Sequence, residues 1–287
     1  MTPVVYLNGT FVAENEARLS VFDGGWLHGA GLFETMRAVN GRVFRLESHL
    51  DRLRRSAQKL LHPIGRDELP SNDDVTSLLE RNQQRAARIR LTVSAGSMRG
   101  LDEEAPLRPT VCMTTAPLAA YASSFYERGI QVVVSPYKQS ADDPTVGHKT
   151  TGFLPRLLGL RQAQRAGCVE ALWFTTGHQL AEGSISNVFL VADGVLKTPE
   201  LSTPVLPGIT REIVLHLAGK MNLEARQGPL TVHDVLDADE CFLTNTIMGI
   251  MPVIRVERQD IAEGKVGPVT KRVREAYGKL VQEEGAG

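Results

Sequence analysis

Apolar positions along residues 4–12 alternate on either side of Asn8-Gly9, the pattern of two strands joined by a two-residue hairpin turn. A second hairpin turns at Asn40-Gly41. Between them lies Asp23-Gly24-Gly25-Trp26-Leu27-His28-Gly29-Ala30-Gly31, with four glycines in eight positions. Such density implies close backbone approach or positive φ before a strand begins. The period then changes: Leu46, Leu50, Leu53, Ala57 and Leu60 recur at helical spacing, predicting an amphipathic helix over 47–61. A second helix is predicted over 72–86, capped by Asn72 or Asp73. Residues 88–94 alternate as a strand, 95–100 form a loop, and 110–115 form another strand. Together these give an α+β N-terminal domain, residues 1–117, with Ala116-Pro117-Leu118-Ala119-Ala120 as the linker candidate.

The second domain, residues 118–287, opens on the buried-type strand 130–134 and a polar loop over 135–147. A helix carrying Leu154, Leu157, Leu158 and Ala163 follows, capped by Thr150 or Thr151 and stopped at Gly167. Strand 169–175, a turn at Gly177-His178 and a hairpin over 187–195 come next. A helix follows Pro207-Gly208-Ile209-Thr210, a strand occupies 241–246, and a terminal helix is predicted over 268–282. There is no internal repeat or low-complexity tract.

Composition narrows the class. Hydrophobic residues make up 42% of the 287 and charged residues 23%, as in a soluble globular protein. A net charge of −1 supplies no basic field for nucleic acid or an anionic membrane. No apolar run approaches the roughly 18 residues a bilayer requires, and the first residues lack the pattern of a signal peptide. The three cysteines, Cys112, Cys168 and Cys241, form no CxxC pair, so free thiols in a reducing cytoplasm are expected.

The chemistry is carried by a few polar positions. Lys149, in His148-Lys149-Thr150-Thr151, offers an amine able to form a Schiff base; alone, it reads as one more solvated surface lysine. Glu182, in Ala181-Glu182-Gly183-Ser184-Ile185-Ser186-Asn187, has small neighbours that leave room for a flat ring, and a carboxylate can hold a protonated ring nitrogen. Pro207-Gly208-Ile209-Thr210 exposes amides at a helix start, a seat for phosphate or a plain cap. Arg52 lies between Leu50 and Leu53, turned inward as a phosphate fork or outward to water. Thr244-Asn245-Thr246 supplies hydroxyls and an amide at a strand end. His28 sits inside the glycine-rich loop. No HExxH, GxSxG or P-loop pattern is present, so metal, serine-hydrolase and nucleoside-triphosphatase chemistries lack support.

These motifs, in this order, resemble the fold-type IV pyridoxal-phosphate enzymes, the class IV aminotransferase family. The resemblance runs from Tyr6-Leu7-Asn8-Gly9 to about Pro252-Val253 and includes Trp26 to Arg37 and His49-Leu50-Asp51-Arg52-Leu53. It implies a two-domain α+β fold, with a smaller N-terminal α/β domain and a larger C-terminal β-barrel-like domain carrying Lys149. The cofactor implied is pyridoxal 5′-phosphate, with Lys149 as the Schiff-base lysine and Glu182 on the pyridine nitrogen. Leu206 would pack on the ring, and Arg52, Ile209, Thr210, Asn245 and Thr246 would hold the phosphate end. A small amino substrate, a homodimer and a cytoplasmic location are also implied. At the substrate end, Arg90, Arg99, His28, Phe33 and Thr35 are the candidates. Ala95 stands where D-amino-acid transaminases of the family usually carry an arginine. The turn Thr244-Asn245-Thr246 before Pro252-Val253 is closer to 4-amino-4-deoxychorismate lyases. The expected activity is therefore the lyase reaction of folate biosynthesis, releasing pyruvate and 4-aminobenzoate. The alternative is a transaminase of branched-chain, D-amino acid or (R)-amine substrates.

Overall fold

The computed structural model describes residues 2–98 and 108–286. Packing divides the chain into two compact units. One comprises Met1–Ala119, His148–Gly152 and Val281–Gly287; the other comprises Ala120–Gly147 and Phe153–Leu280.

The first unit contains β1 (Val4–Leu7), β2 (Thr10–Ala13), α1 (Gly24–His28), β3 (Gly31–Val39), β4 (Arg42–Val43), α2 (Leu46–Leu60), α3 (Asn72–Arg81), β5 (Ala87–Ser94) and β6 (Val111–Pro117). Its six strands form an antiparallel sheet ordered β2-β1-β6-β5-β3-β4. The helical stripe expected over 47–61 becomes α2, and its Leu50, Leu53 and Ala57 are buried with Met36, Ala38, Ile89 and Leu91 from the sheet. Each leucine so buried contributes about 1.5–3 kcal/mol. Helix α3 stops at Arg81, short of the expected 86. Its next residue, Asn82, is drawn to the sheet, accepting from the Val4 amide and donating to the Val4 carbonyl, both at 2.8 Å. Gln83 then turns left-handed at φ 54°. The glycine-rich loop contains one short helix, α1, capped by the Asp23 carboxylate on the Gly25 amide.

The second unit contains α4 (Ser123–Arg128), β7 (Ile130–Gln139), α5 (Leu154–Arg165), β8 (Glu170–Thr175), β9 (Leu180–Gly183), β10 (Asn187–Ala192), β11 (Val195–Pro199), α6 (Ile209–Lys220), β12 (Ala225–Gly228), α7 (Val232–Leu236), β13 (Glu240–Asn245), β14 (Gly249–Val256), β15 (Gln259–Asp260) and most of α8 (Pro268–Ala286). Its sheet is ordered β12-β11-β10-β13-β14-β7-β8-β9, with β15 paired to β14. Strands β9 and β10 are five places apart in that order, yet only Ser184–Ser186 join them. A flat sheet would separate them by about 24 Å, whereas the connection reaches only about 14 Å. The sheet therefore curls on itself, the barrel-like form expected of the larger domain.

Three expectations shift. The unit boundary falls after Ala119, two residues beyond the end of β6 at Pro117 and the expected 117. Lys149, expected in the C-terminal domain, packs with the first unit because its backbone bonds to β3. Helix α5 does not bury the leucines that suggested it: Leu154, Leu157 and Leu158 are 61%, 43% and 36% exposed, and Gly159 and Ala163 are buried instead. The cysteines are free, with Cys241 buried and Cys112 and Cys168 half-buried. No helix among the described residues is long and apolar enough to cross a membrane.

Candidate active site

In the first unit, Lys149 is held by the edge of the glycine-rich segment. The Phe33 amide donates to the Lys149 carbonyl and the Thr151 amide to the Gly31 carbonyl, each at 2.8 Å. The Thr151 hydroxyl donates to the Gly29 carbonyl at 2.7 Å. This approach requires glycine at 31, since a Cβ there would lie 2.9 Å from Thr151 Oγ1 and 3.1 Å from the Val93 carbonyl. His148 is tied by Nδ1 to the buried Ser56 hydroxyl of α2 at 2.8 Å, and burial pushes its imidazole pKa down. The Lys149 ammonium lies 4.5 Å from the centre of the Phe33 ring, and the Arg90 guanidinium lies 3.8 Å from it.

Strand alternation sorts the neighbouring side chains. Phe33 and Thr35 share one face of β3, where Thr35 pairs with Arg90 of β5. Arg90 Nε also donates to Thr92 at 3.2 Å, and burial, then Arg88, pushes its pKa down. Glu34 is on the opposite face, where it meets α2. Arg52 grips it bidentately, Nε to Oε1 at 2.8 Å and Nη2 to Oε2 at 2.6 Å, and His49 Nδ1 reaches Oε2 at 2.8 Å. Arg52 therefore points inward, with two of its nitrogens on Glu34. Burial outweighs Glu34 in setting the His49 pKa, which is lowered. Nδ1 faces a carboxylate, which can only accept, and so donates to it, while Nε2 is buried with no hydrogen-bond partner among the described residues. His28 ends α1 with its side chain exposed, and Arg99 lies outside the described residues.

In the second unit, Glu182 is the penultimate residue of β9, its carboxylate buried among four donors. Oε1 accepts from Arg156 Nη2 at 2.6 Å and Gln139 Nε2 at 3.2 Å. Oε2 accepts from the Leu206 amide at 2.9 Å and Asn187 Nδ2 at 3.4 Å. The loop that follows is wrapped round a second buried acid, Glu170, which accepts from the Ser184 and Ile185 amides and the Ser186 hydroxyl at 2.9–3.1 Å. Burial raises the Glu170 pKa, opposed by those bonds. Helix α6 starts at Ile209 with Gly208 as its N-cap and so no capping side chain there, and Thr210 is buried in that turn. Only glycine fits at 208, where a Cβ would fall 1.9 Å from Asn187 Oδ1. Asn245 turns its side chain to the backbone: Oδ1 accepts from the Ile247 and Met248 amides at 2.9 and 2.8 Å, and Nδ2 donates to the Ile185 carbonyl at 3.2 Å. Thr246 follows, half-buried.

The sequence reading named Lys149, Glu182, Leu206, Ile209 and Thr210. It missed Arg156, Gln139, Asn187 and Glu170, the groups that hold Glu182 and its loop. Arg156 lies on a helix marked in the sequence only by Leu154, Leu157, Leu158 and Ala163, and no motif singles it out. Among the described residues no cluster of His, Cys, Asp or Glu could hold a metal ion.

The first unit thus offers a lysine amine, and the second a buried carboxylate among small residues and a helix start without a side-chain cap. These are kinds of group that a phosphorylated pyridine cofactor uses, and comparison with known proteins points to a family with that cofactor. The sequence pattern of the family described as amino-transferase class IV matches residues 31–256. A putative branched-chain-amino-acid aminotransferase of Methanocaldococcus jannaschii is 38% identical over 274 residues, 95% of this chain and 94% of that protein. A D-alanine aminotransferase of Staphylococcus aureus is 30% identical over 97% of this chain and 98% of its own. A solved branched-chain amino acid aminotransferase from T.th., with pyridoxamine 5′-phosphate, superposes with a TM-score of 0.90 at 29% identity, covering 99% and 95% of the two chains. The chain belongs to the class IV aminotransferases, fold-type IV enzymes whose cofactor is pyridoxal 5′-phosphate.

Proposed function

We propose that the protein is an amino-acid transaminase whose substrates are branched-chain amino acids. The observation that carries this is the 38% identity, over nearly both full lengths, with a relative named for that activity. Ala95, buried at the position where the family's D-amino-acid enzymes usually carry an arginine, favours this reading over a D-alanine enzyme. The lyase expected from the 244–246 turn has less support. Asn245 is engaged by its own turn, and the two relatives above that are 30% identical or more are named as transaminases.

Pyridoxal 5′-phosphate, when bound, supplies an aldehyde that takes the substrate amine and a protonated ring that withdraws electrons. In this reading Lys149 holds the cofactor and, once displaced by substrate, moves the proton at the substrate α-carbon. Glu182 accepts from the ring nitrogen, and Leu206 packs against the ring. Arg52, Ile209, Thr210 and Thr246 hold the phosphate, with Asn245 shaping the turn that carries Thr246. Arg90, Phe33 and Thr35 form the substrate end on one sheet face, with His28 and Arg99 as further candidates. The same reading includes a homodimer, supported by the exposed leucines of α5.

A paired assay tests the activity. Amino transfer from L-leucine to 2-oxoglutarate, with no 4-aminobenzoate released from 4-amino-4-deoxychorismate, is the expected result. Release of 4-aminobenzoate without a keto-acid acceptor, or preferential use of D-alanine, would sink it. Lys149→Ala should abolish both amino transfer and the visible absorption of the bound cofactor; a variant that keeps both would remove Lys149 from its role.

A further inference from the structure

Glu182 has about four lone-pair sites, and four donors already occupy them. A ring nitrogen that donates to this carboxylate is a fifth. Asn187 and Gln139, at 3.4 and 3.2 Å, are long neutral contacts that can yield. Arg156 is different, because its contact is short and it carries a charge.

Arg156 is fixed from several sides. It lies on the stripe Arg156, Gly159, Ala163, the i, i+3, i+7 face of α5 that turns to the sheet. Its guanidinium lies 4.4 Å from the centre of the Trp173 ring, and Trp173 is itself pinned by Nε1 on the Ser184 hydroxyl at 2.9 Å. Nη1 donates to the Gly183 carbonyl at 3.3 Å while Nη2 holds Glu182. The side chain is only 16% exposed. Moving away from Glu182 would cost the guanidinium its Trp173 and Gly183 contacts as well.

We propose that Arg156 is a positioning residue for Glu182, holding the carboxylate in place in the cofactor-free protein and opposing a protonated ring nitrogen once the cofactor enters. This rests on the reading of Glu182 as the ring-nitrogen partner. Two effects of opposite sign follow. Without cofactor, Arg156 is the counter-ion of a buried carboxylate, so it stabilises the protein. With cofactor, two cations share one carboxylate, so Arg156 weakens the hold on the ring.

Arg156→Gln removes the charge and keeps a planar amide donor. The probe is pyridoxamine 5′-phosphate, which has no aldehyde and so forms no bond to Lys149. Thermal unfolding of the cofactor-free and saturated proteins is measured, together with the dissociation constant by fluorescence titration. The expected result is a lower melting temperature for cofactor-free Arg156→Gln, a smaller loss when saturated, and binding about tenfold tighter, the effect of removing one like charge. Arg156→Lys should return the affinity toward that of the unaltered protein. Equal losses in both forms with unchanged affinity would mean that Arg156 only packs on Trp173, and weaker binding would mean that it assists the ring; either overturns the proposal. Glu182→Gln tests the underlying reading separately. If that variant binds pyridoxamine 5′-phosphate as well as the unaltered protein does, Glu182 is not the ring-nitrogen partner, whatever Arg156 does.

Discussion

Glu34 is a buried acid beneath the sheet face that carries Phe33 and Thr35, and it separates a structural role from a chemical one. Burial pushes its pKa up, but the Arg52 charge and the His49 hydrogen bond outweigh burial and hold the carboxyl at about 2, against 4.5 ordinarily. The native state therefore binds fewer protons than the unfolded chain between these values. The group's contribution, on the order of 3 kcal/mol, is present above pH 4.5 and lost as pH falls toward 2. Glu34→Gln should cost about 3–5 kcal/mol at neutral pH, because it leaves the buried Arg52 without its counter-ion. It should also flatten the loss of stability between pH 4.5 and 2, which urea unfolding at a series of pH values would read. A variant that keeps the full acid slope would show that another carboxylate supplies it. Glu170 acts in the opposite sense: its raised pKa means that the stability it contributes is lost as pH rises through the folded value.

Elements were legible where one local signal decided them. The pairs Asn8-Gly9, Asn40-Gly41 and Asp193-Gly194 all take positive φ, as hairpin turns require, and α2 buries the stripe its spacing announced. Legibility failed where a distant partner decided. Helix α3 ends because Asn82 bridges to β1, 78 residues away, and nothing near Asn82 in sequence reveals it. Asn82→Ala should cost about 1–3 kcal/mol, the penalty of leaving the Val4 amide and carbonyl unsatisfied. A urea midpoint unchanged from the unaltered protein would show that water replaces the bridge. Helix α5 misled for a related reason. Its inward stripe is Arg, Gly and Ala, two small residues and a cation, while the leucines face outward, so hydrophobicity pointed to the wrong side. In the candidate site the same divide appears. Lys149 and Glu182 stand in ordered motifs, whereas Ser56, which holds the neighbouring His148, and Gln139, Arg156 and Glu170, which hold Glu182 and its loop, come from segments with no motif of their own.

At the scale of the molecule, the outward leucines of α5 call for a partner surface. Leu154, Leu157 and Leu158 occupy two successive turns of one helix, so they form a contiguous apolar patch rather than scattered residues. A net charge of −1 on 287 residues offers little repulsion between copies. A second copy of this chain is the occupant the proposed homodimer requires. Sedimentation equilibrium should then give about twice the 31.4 kDa of one chain. The double variant Leu157→Asp with Leu158→Asp places two charges in that patch, and it should sediment as one chain while unfolding at nearly the unaltered temperature. Neither leucine is part of the buried core, so loss of association need not carry loss of fold. A monomeric unaltered protein would refute the dimer; a dimeric variant would move the interface away from α5.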